Sequence, residues 1–163
     1  MPDRLVISNT SPLLYLHQVG HLELLPRLYG QVQIPSAVQE ELRAGAELGI
    51  SVPDLSPLDW LQVQSLRDTT LLPVVIDLGS GEAEAIALAI AHPGSLLILD
   101  NALGRRIAHL NRLTYTGTLG VLVRAKKERL LPSVSPVVEA LRSTTMYLTP
   151  ALIEMVLREA GEA

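Results

Sequence analysis

The stretch SGEAEAIALAIAHPGSLLILDN, residues 80–101, decides the fold. After its first turn, the segment 80–92 is apolar on every face, which predicts a helix that is buried on all sides. The run Leu96–Leu99 is continuously apolar, as in a strand that has both faces covered. A buried helix followed by a buried strand is typical of an α/β protein with a parallel sheet.

The same alternation extends along the whole chain. Strands are predicted at Leu5–Ser8, Val32–Ile34, Leu61–Leu66, Leu96–Leu99 and Thr114–Tyr115. Helices are predicted at about 11–19, 21–28, 36–43, 80–92, 100–113, 117–130, 136–142 and 150–160, with a loop at 45–57. We therefore expect an α/β fold with three layers and a mainly parallel sheet. The 163 residues fit a single domain, with a core at about 5–131 and C-terminal helices at about 133–160.

Three helix starts carry capping signals. Ser11 is predicted as an N-cap with Pro12 at the first helical position. Ser36 and Gln39 have the spacing of a capping box. Thr149 is predicted as an N-cap before Pro150.

Composition limits the protein class. Hydrophobic residues make up 48% and charged residues 18% of the chain, enough apolar material for a full core, and there is no Cys for a disulfide or thiolate site. Neither a signal-peptide core nor a run of ~18 apolar residues occurs, so we expect a soluble cytoplasmic protein without membrane contact. The net charge of -4 implies that any RNA binding uses a local basic patch.

Polar residues end two of the predicted strands. Asn9 follows the first strand and Asp100 follows the fourth. Each could simply cap the next helix. Ligands of parallel α/β sheets, however, bind beyond the carboxyl ends of the strands.

Three glutamates on the intervening helices are candidates for the same site. Glu41 lies at the border of the apolar stripe of its helix, whereas Glu40 is predicted to face water. Glu82 and Glu84 lie about 200° apart on their helix, so they cannot both point into one site. Glu84 is preferred, because the helix dipole already accounts for an anion at Glu82.

Carboxylates that gather at one place need a cation to offset their repulsion. Ligand sets that contain only oxygen select hard cations such as Mg²⁺ or Mn²⁺. Such ions suit phosphodiester hydrolysis. The four histidines lie in or beside helices without a nucleophile elbow, and no phosphate-binding glycine loop occurs.

Five motifs in order, ISNTSPLLYL, IPSAVQEEL, LGSGEAEAIALA, LLILDNALGRRIA and YTGTLGVLVRAK, resemble those of PIN domains. The resemblance covers roughly Leu5 to Leu131 and is strongest to small standalone prokaryotic PIN proteins related to VapC-type toxins. It implies a five-stranded parallel sheet, an acidic pocket that binds Mg²⁺ or Mn²⁺, ribonuclease activity on RNA and a homodimer. In toxin members it also implies a small antitoxin partner.

Carried over by position, the resemblance places the metal ligands at Asn9, Glu41, Glu84 and Asp100, with Glu82 as the alternative to Glu84. Thr116 and Thr118 match a polar stretch that helps to hold the metal or its water. The pattern has Asp where this chain has Asn9, which removes one negative charge and implies a weakened site.

Basic side chains could bind the RNA backbone or form an ordinary solvated face. The candidates are Arg105, Arg106, Arg124, Lys126, Lys127 and Arg129. Two functional hypotheses remain: a metal-dependent ribonuclease, the toxin of a toxin-antitoxin pair, and a catalytically degenerate PIN fold that binds or regulates. A flavodoxin- or receiver-like domain is disfavoured, because it has no place for the acidic helix GEAEAIALA.

Overall fold

The computed structural model describes residues 4–163, and five parallel strands in that part of the chain form one sheet. The strands are β1 (Val6–Ser8), β2 (Val32–Pro35), β3 (Leu61–Gln64), β4 (Leu96–Ile98) and β5 (Thr114–Thr116). Their order is β3-β2-β1-β4-β5, so β1 is central. The connections move outward in one direction from β1 to β3 and in the other direction from β4 to β5. The carboxyl ends of β1 and β4 therefore form the topological switch point, where such sheets bind ligands.

Helices cover both faces of this sheet. They are α1 (Thr10–Gln18), α2 (Leu24–Tyr29), α3 (Ser36–Glu47), α4 (Ser80–Ala91), α5 (Ala102–Leu110), α6 (Thr118–Lys127), α7 (Ser135–Leu141) and α8 (Pro150–Glu159), with a 3-10 turn at Thr69–Leu71. The predicted three-layer α/β architecture with a parallel sheet is confirmed.

Alternating side chains of the strands divide the core into two clusters. Val6, Leu96 and Ile98 pack with α1, α2, α3 and the C-terminal helices. Ile7 and Leu97 face the other side and pack with α4 and α5. The residues from Ala85 to Ala89 are buried without exception, as the apolar sequence of α4 predicts.

Several local predictions were wrong. Helix α1 begins at Thr10 after the N-cap position Asn9, so Ser11 is not the cap. Helix α3 begins after Pro35 and has no Ser36 capping box. It continues to Glu47, into the predicted loop. Helix α5 is capped by Asn101, whose side chain accepts from Gly104 N at 2.8 Å. The Thr149 cap of α8 is confirmed, since its hydroxyl accepts from Leu152 N at 3.1 Å.

Within residues 4–163, no helix combines the length and apolar character needed to cross a membrane.

Candidate active site

Asp100 lies two residues beyond the end of β4 and faces the start of α6. Thr118 donates its backbone N–H to Oδ1 at 2.8 Å and its hydroxyl to Oδ2 at 2.7 Å. The carboxylate therefore caps α6, the helix after the next strand, and not α5. Burial raises the pKa of the Asp100 carboxyl, and the Thr118 hydrogen bonds and the charge of Arg105 lower it only in part.

Gly117 makes the approach of Asp100 to α6 sterically feasible. A Cβ atom at position 117 would stand 2.7 Å from Asp100 Oδ1. The backbone there is extended, with φ of -126°, so the glycine is required for space and not for its dihedral angles.

Asn9 lies at the end of β1, beside the end of β4. Its backbone N–H donates to Ile98 O at 2.9 Å, and only 1% of the residue is exposed. Its Oδ1 atom has no hydrogen-bond partner within the described part of the chain. An unpaired buried acceptor costs about 1–3 kcal/mol, so this oxygen is suited to a donor or a cation.

Glu41 of α3 and Glu84 of α4 each form a hydrogen bond to the start of the other helix. Glu41 accepts from Gly81 N at the start of α4 at 3.1 Å and from the Thr10 hydroxyl at 2.5 Å. Glu84 accepts from Ala37 N at the start of α3 at 3.1 Å. Each helix therefore supplies the carboxylate that satisfies a free N–H group of the other.

Glu82 shares a cleft of about 710 Å³ with Asp100. Its carboxylate also accepts from Gly79 N at 2.6 Å, in the first turn of α4. Glu84 does not line this cleft. The structure therefore places Glu82, and not Glu84, in the cleft that Asp100 lines, because Glu84 reaches Ala37 N of α3.

The predicted convergence of Glu41, Glu84 and Asp100 is also absent. No group of three or more His, Asp or Glu side chains within residues 4–163 is placed to hold one metal ion. The physical reason is that these carboxylates bind N–H groups at the starts of three different helices. Of the predicted acidic ligands, only Asp100 and Glu82 line the same cleft, which also includes Glu159 of α8.

The two threonines have separate positions. Thr118 is fully buried and uses both its N–H and its hydroxyl to hold Asp100, so it orients that carboxylate. Thr116 lines the cleft, and its hydroxyl lies where a Cβ atom of residue 120 would collide with it. Gly120 therefore leaves room for the Thr116 hydroxyl against α6.

The basic candidates do not form one continuous patch. Arg105 lines the cleft, its guanidinium lies 5.2 Å from the centre of the Tyr115 ring, and its Nε has no partner in the described chain. Arg106 is exposed on the same helix. Lys126 instead donates to Glu162 at 2.9 Å and to Ala160 O at 2.7 Å.

Lys126 and Lys127 lie at the far end of α6 from Asp100. Nine residues of helix place Lys127 roughly 13 Å along the axis from Thr118. Neither lysine lines the cleft, and Arg124 at the same end pairs with Glu128 at 2.7 Å. The structure thus associates Arg105 with the cleft and separates Lys126 and Lys127 from it.

Sequence reasoning missed two groups of residues. The first consists of glycines that allow carboxylates to reach backbone N–H groups: a Cβ atom at Gly79, Gly81 or Gly117 would collide with Glu82, Glu41 or Asp100, respectively. The motifs LGSGE and YTGT contained this signal. The second is a cleft wall that includes Tyr147, in the segment between α7 and α8, and Met155, in α8.

The cleft residues fit one hydrated hard cation. Asp100 and Glu82 supply two carboxylates, and Mg²⁺ commonly uses one or two carboxylates together with water and substrate phosphate. The unpaired Oδ1 of Asn9, at the adjacent strand end, is a further oxygen of the right chemical type. The donor set does not fit a preformed cage of three or more carboxylates.

A family model described as a PIN domain matches residues 5–162. The match extends beyond Leu131, where the resemblance in sequence motifs was expected to end, and includes α7 and α8. A comparison with individual curated proteins gave no match.

Proposed function

The chain belongs to the PIN-domain family, which has a nuclease-like fold, and on that premise we propose that it is a metal-dependent ribonuclease. In this proposal Asp100 and Glu82 bind Mg²⁺ or Mn²⁺ in the cleft. The observation that carries it is that these two carboxylates line one cleft, which lies at the carboxyl ends of β4 and β5. When bound, the cation supplies an activated water and stabilises the departing oxyanion.

The chain's own residues have distinct roles in this proposal. Thr118 fixes Asp100 through two hydrogen bonds. Arg105 lines the cleft, and its guanidinium group binds a phosphate of the RNA backbone. Asn9 contributes an oxygen without a charge, so cation affinity is lower than it would be with Asp at this position.

A matched pair on α4 tests the proposal. Glu82→Gln removes a charge from the cleft, whereas Glu84→Gln removes one that faces α3. In millimolar Mn²⁺, the wild type and the Glu84 variant are expected to cleave a fluorogenic RNA. The Glu82 variant is expected to lose this activity. Equal cleavage by both variants would remove Glu82 from the site. Absence of Mn²⁺-dependent cleavage by the pure wild type would contradict the proposed function.

A second candidate function is a catalytically degenerate module that binds RNA or a protein. It is favoured by the lack of a three-carboxylate group in residues 4–163 and by the uncharged Asn9. Binding of RNA without cleavage at any divalent-ion concentration would select this alternative.

The resemblance to VapC-type toxins supports three further proposals: a toxin role in the cytoplasm, a small antitoxin partner and a homodimer. Growth arrest on expression of the wild type, but not of Asp100→Asn, would support the toxin role. Light scattering of the purified chain tests the homodimer, and co-purification with the product of an adjacent small gene tests the antitoxin.

A further inference from the structure

Tyr147 is a cleft residue with a free aromatic ring. It lies between α7 and α8 and is 83% exposed. The other two tyrosines of the cleft are engaged: Arg105 covers Tyr115, and Tyr15 is half-buried with its hydroxyl 3.4 Å from Thr145 Oγ1. Of these three rings, only that of Tyr147 has its surface available for stacking.

The backbone holds Tyr147 in place. Its neighbours Met146 and Leu148 pack against the core, which directs the side chain between them outward. Thr144 fixes the preceding turn by donating its hydroxyl to Leu141 O at 2.6 Å and accepting from Met146 N at 3.2 Å. A ring on such a segment loses little freedom when it binds a planar ligand.

The wall around Tyr147 is apolar and continuous with the acidic part of the cleft. Leu152, Met155 and Val156 of α8 line it, and Met155 is 50% exposed; the exposed Glu159 follows about one helical turn later. Arg105 is the only Lys or Arg that lines the cleft within the described residues. A duplex, which depends on many phosphate contacts, is poorly matched to this wall, whereas an unpaired base matches a free ring beside a polarizable thioether.

We propose that Tyr147 and Met155 form a nucleobase subsite, which holds an unpaired base next to the phosphate bound by Arg105. This inference rests on the proposed function, since it names the part of the RNA that the same cleft recognises. Tyr147 is then a residue that selects single-stranded RNA through stacking.

Binding of a fluorescein-labelled, unstructured 12-nucleotide RNA, measured by anisotropy in EDTA, tests the proposal without cleavage. Tyr147→Ala is expected to weaken binding roughly 5- to 150-fold, the range of one base–aromatic stack. Tyr147→Phe keeps the ring and should bind within about twofold of the wild type. Leu110→Ala, which removes a 74% exposed side chain at the far end of α5, serves as the matched control and should change nothing.

A second strand, in which every base is replaced by an abasic site, separates stacking from charge. It should bind the wild type and Tyr147→Ala equally. The subsite is overturned if Tyr147→Ala binds the normal strand as tightly as the wild type does. It is also overturned if the substitution weakens binding of the abasic strand equally, or if the wild type does not bind the normal strand. Cleavage in Mn²⁺ is measured separately. If binding depends on the Tyr147 ring but no cleavage occurs, only the proposed function is refuted. If cleavage occurs but binding does not depend on the ring, only the subsite is refuted.

Discussion

A carboxylate binds at each end of α6, and the two differ in whether a cationic side chain pairs with them. At the start of the helix, Asp100 accepts two hydrogen bonds from Thr118 and forms no ion pair within the described chain. At the end, Glu162 pairs with Lys126 and also accepts from Ser133, Val134 and Ser135. The structural carboxylate is neutralised by its partner, and the cleft carboxylate is not.

The pKa values of the two carboxyl groups, Asp100 and Glu162, are shifted in opposite directions. Burial raises the pKa of Asp100. Burial also acts to raise the pKa of Glu162, but its hydrogen bonds and Lys126 hold it at about 2, below the ordinary value of 4.5. A buried carboxylate that lacks a cationic partner is costly to keep charged, and such groups concentrate at functional sites. The comparison therefore assigns a stabilising role to Glu162 and supports the proposed cation binding by Asp100.

The largest effect is expected from Asp100→Asn. The variant retains an acceptor for Thr118 but loses the charge, so RNA cleavage in Mn²⁺ should fall by more than ~100-fold, equivalent to several kcal/mol of lost stabilisation. The free energy of unfolding without metal, measured in urea, should be unchanged or higher. A loss of more than ~2 kcal/mol of stability would show that Asp100 serves mainly as a cap.

Gly117→Ala tests the space that Asp100 needs. The added Cβ would lie 2.7 Å from Asp100 Oδ1, so the carboxylate must move, and Mn²⁺ affinity should fall about 10-fold. Gly81→Ala is the matched control, because its Cβ meets Glu41 and not Asp100. Calorimetric titration of both variants checks this. Equal loss in both would mean that Glu41 contributes as much as Asp100 does.

Asn9→Asp should have a smaller effect of opposite sign. A carboxylate in place of the unpaired Asn9 oxygen adds charge beside Asp100, so Mn²⁺ binding should tighten about fivefold, since sites for hard cations gain affinity as the charge of their ligands increases. Metal-free stability should fall, because a second buried carboxylate is added. Unchanged Mn²⁺ affinity in the same titration would show that Asn9 does not line the site.

Glu162→Gln should leave cleavage and Mn²⁺ binding unchanged. It removes the ion pair to Lys126, so the free energy of unfolding at pH 7 should fall by about 1–3 kcal/mol. Since the folded pKa of about 2 lies below the ordinary 4.5, the contribution of Glu162 is present above pH 4.5 and is lost as the pH falls toward 2. Urea unfolding from pH 7 to 3 should show the two proteins converging. A constant difference would contradict the assigned pKa.

The elements of the fold were predictable because their signals are local. The apolar run at Leu96–Leu99 and the apolar surface of α4 specify buried elements by themselves. The helix starts were less predictable, because their N–H groups bind residues that are distant in sequence. Glu84 reaches Ala37, 47 positions away, so a Ser36 capping box is not needed.

The site was predictable only in part. The spacing on α4 shows that Glu82 and Glu84 diverge, but the rotation of α4 against the sheet decides which one reaches the cleft. That rotation follows from tertiary packing, as does the position of Tyr147. The position of Asp100 in a cleft was predictable, because residues that follow the strands of a parallel sheet lie at the edge where such sheets bind ligands.

Direct counting of bound Mn²⁺ tests whether Asp100 holds a divalent cation in the cleft at the carboxyl ends of β4 and β5. Electron paramagnetic resonance measures free Mn²⁺ during titration of the wild type, Asp100→Asn and Glu162→Gln. At millimolar Mn²⁺, the wild type and the Glu162 variant should each bind one ion per chain, and the Asp100 variant should bind none. Equal binding by all three proteins, or none by the wild type, would contradict it.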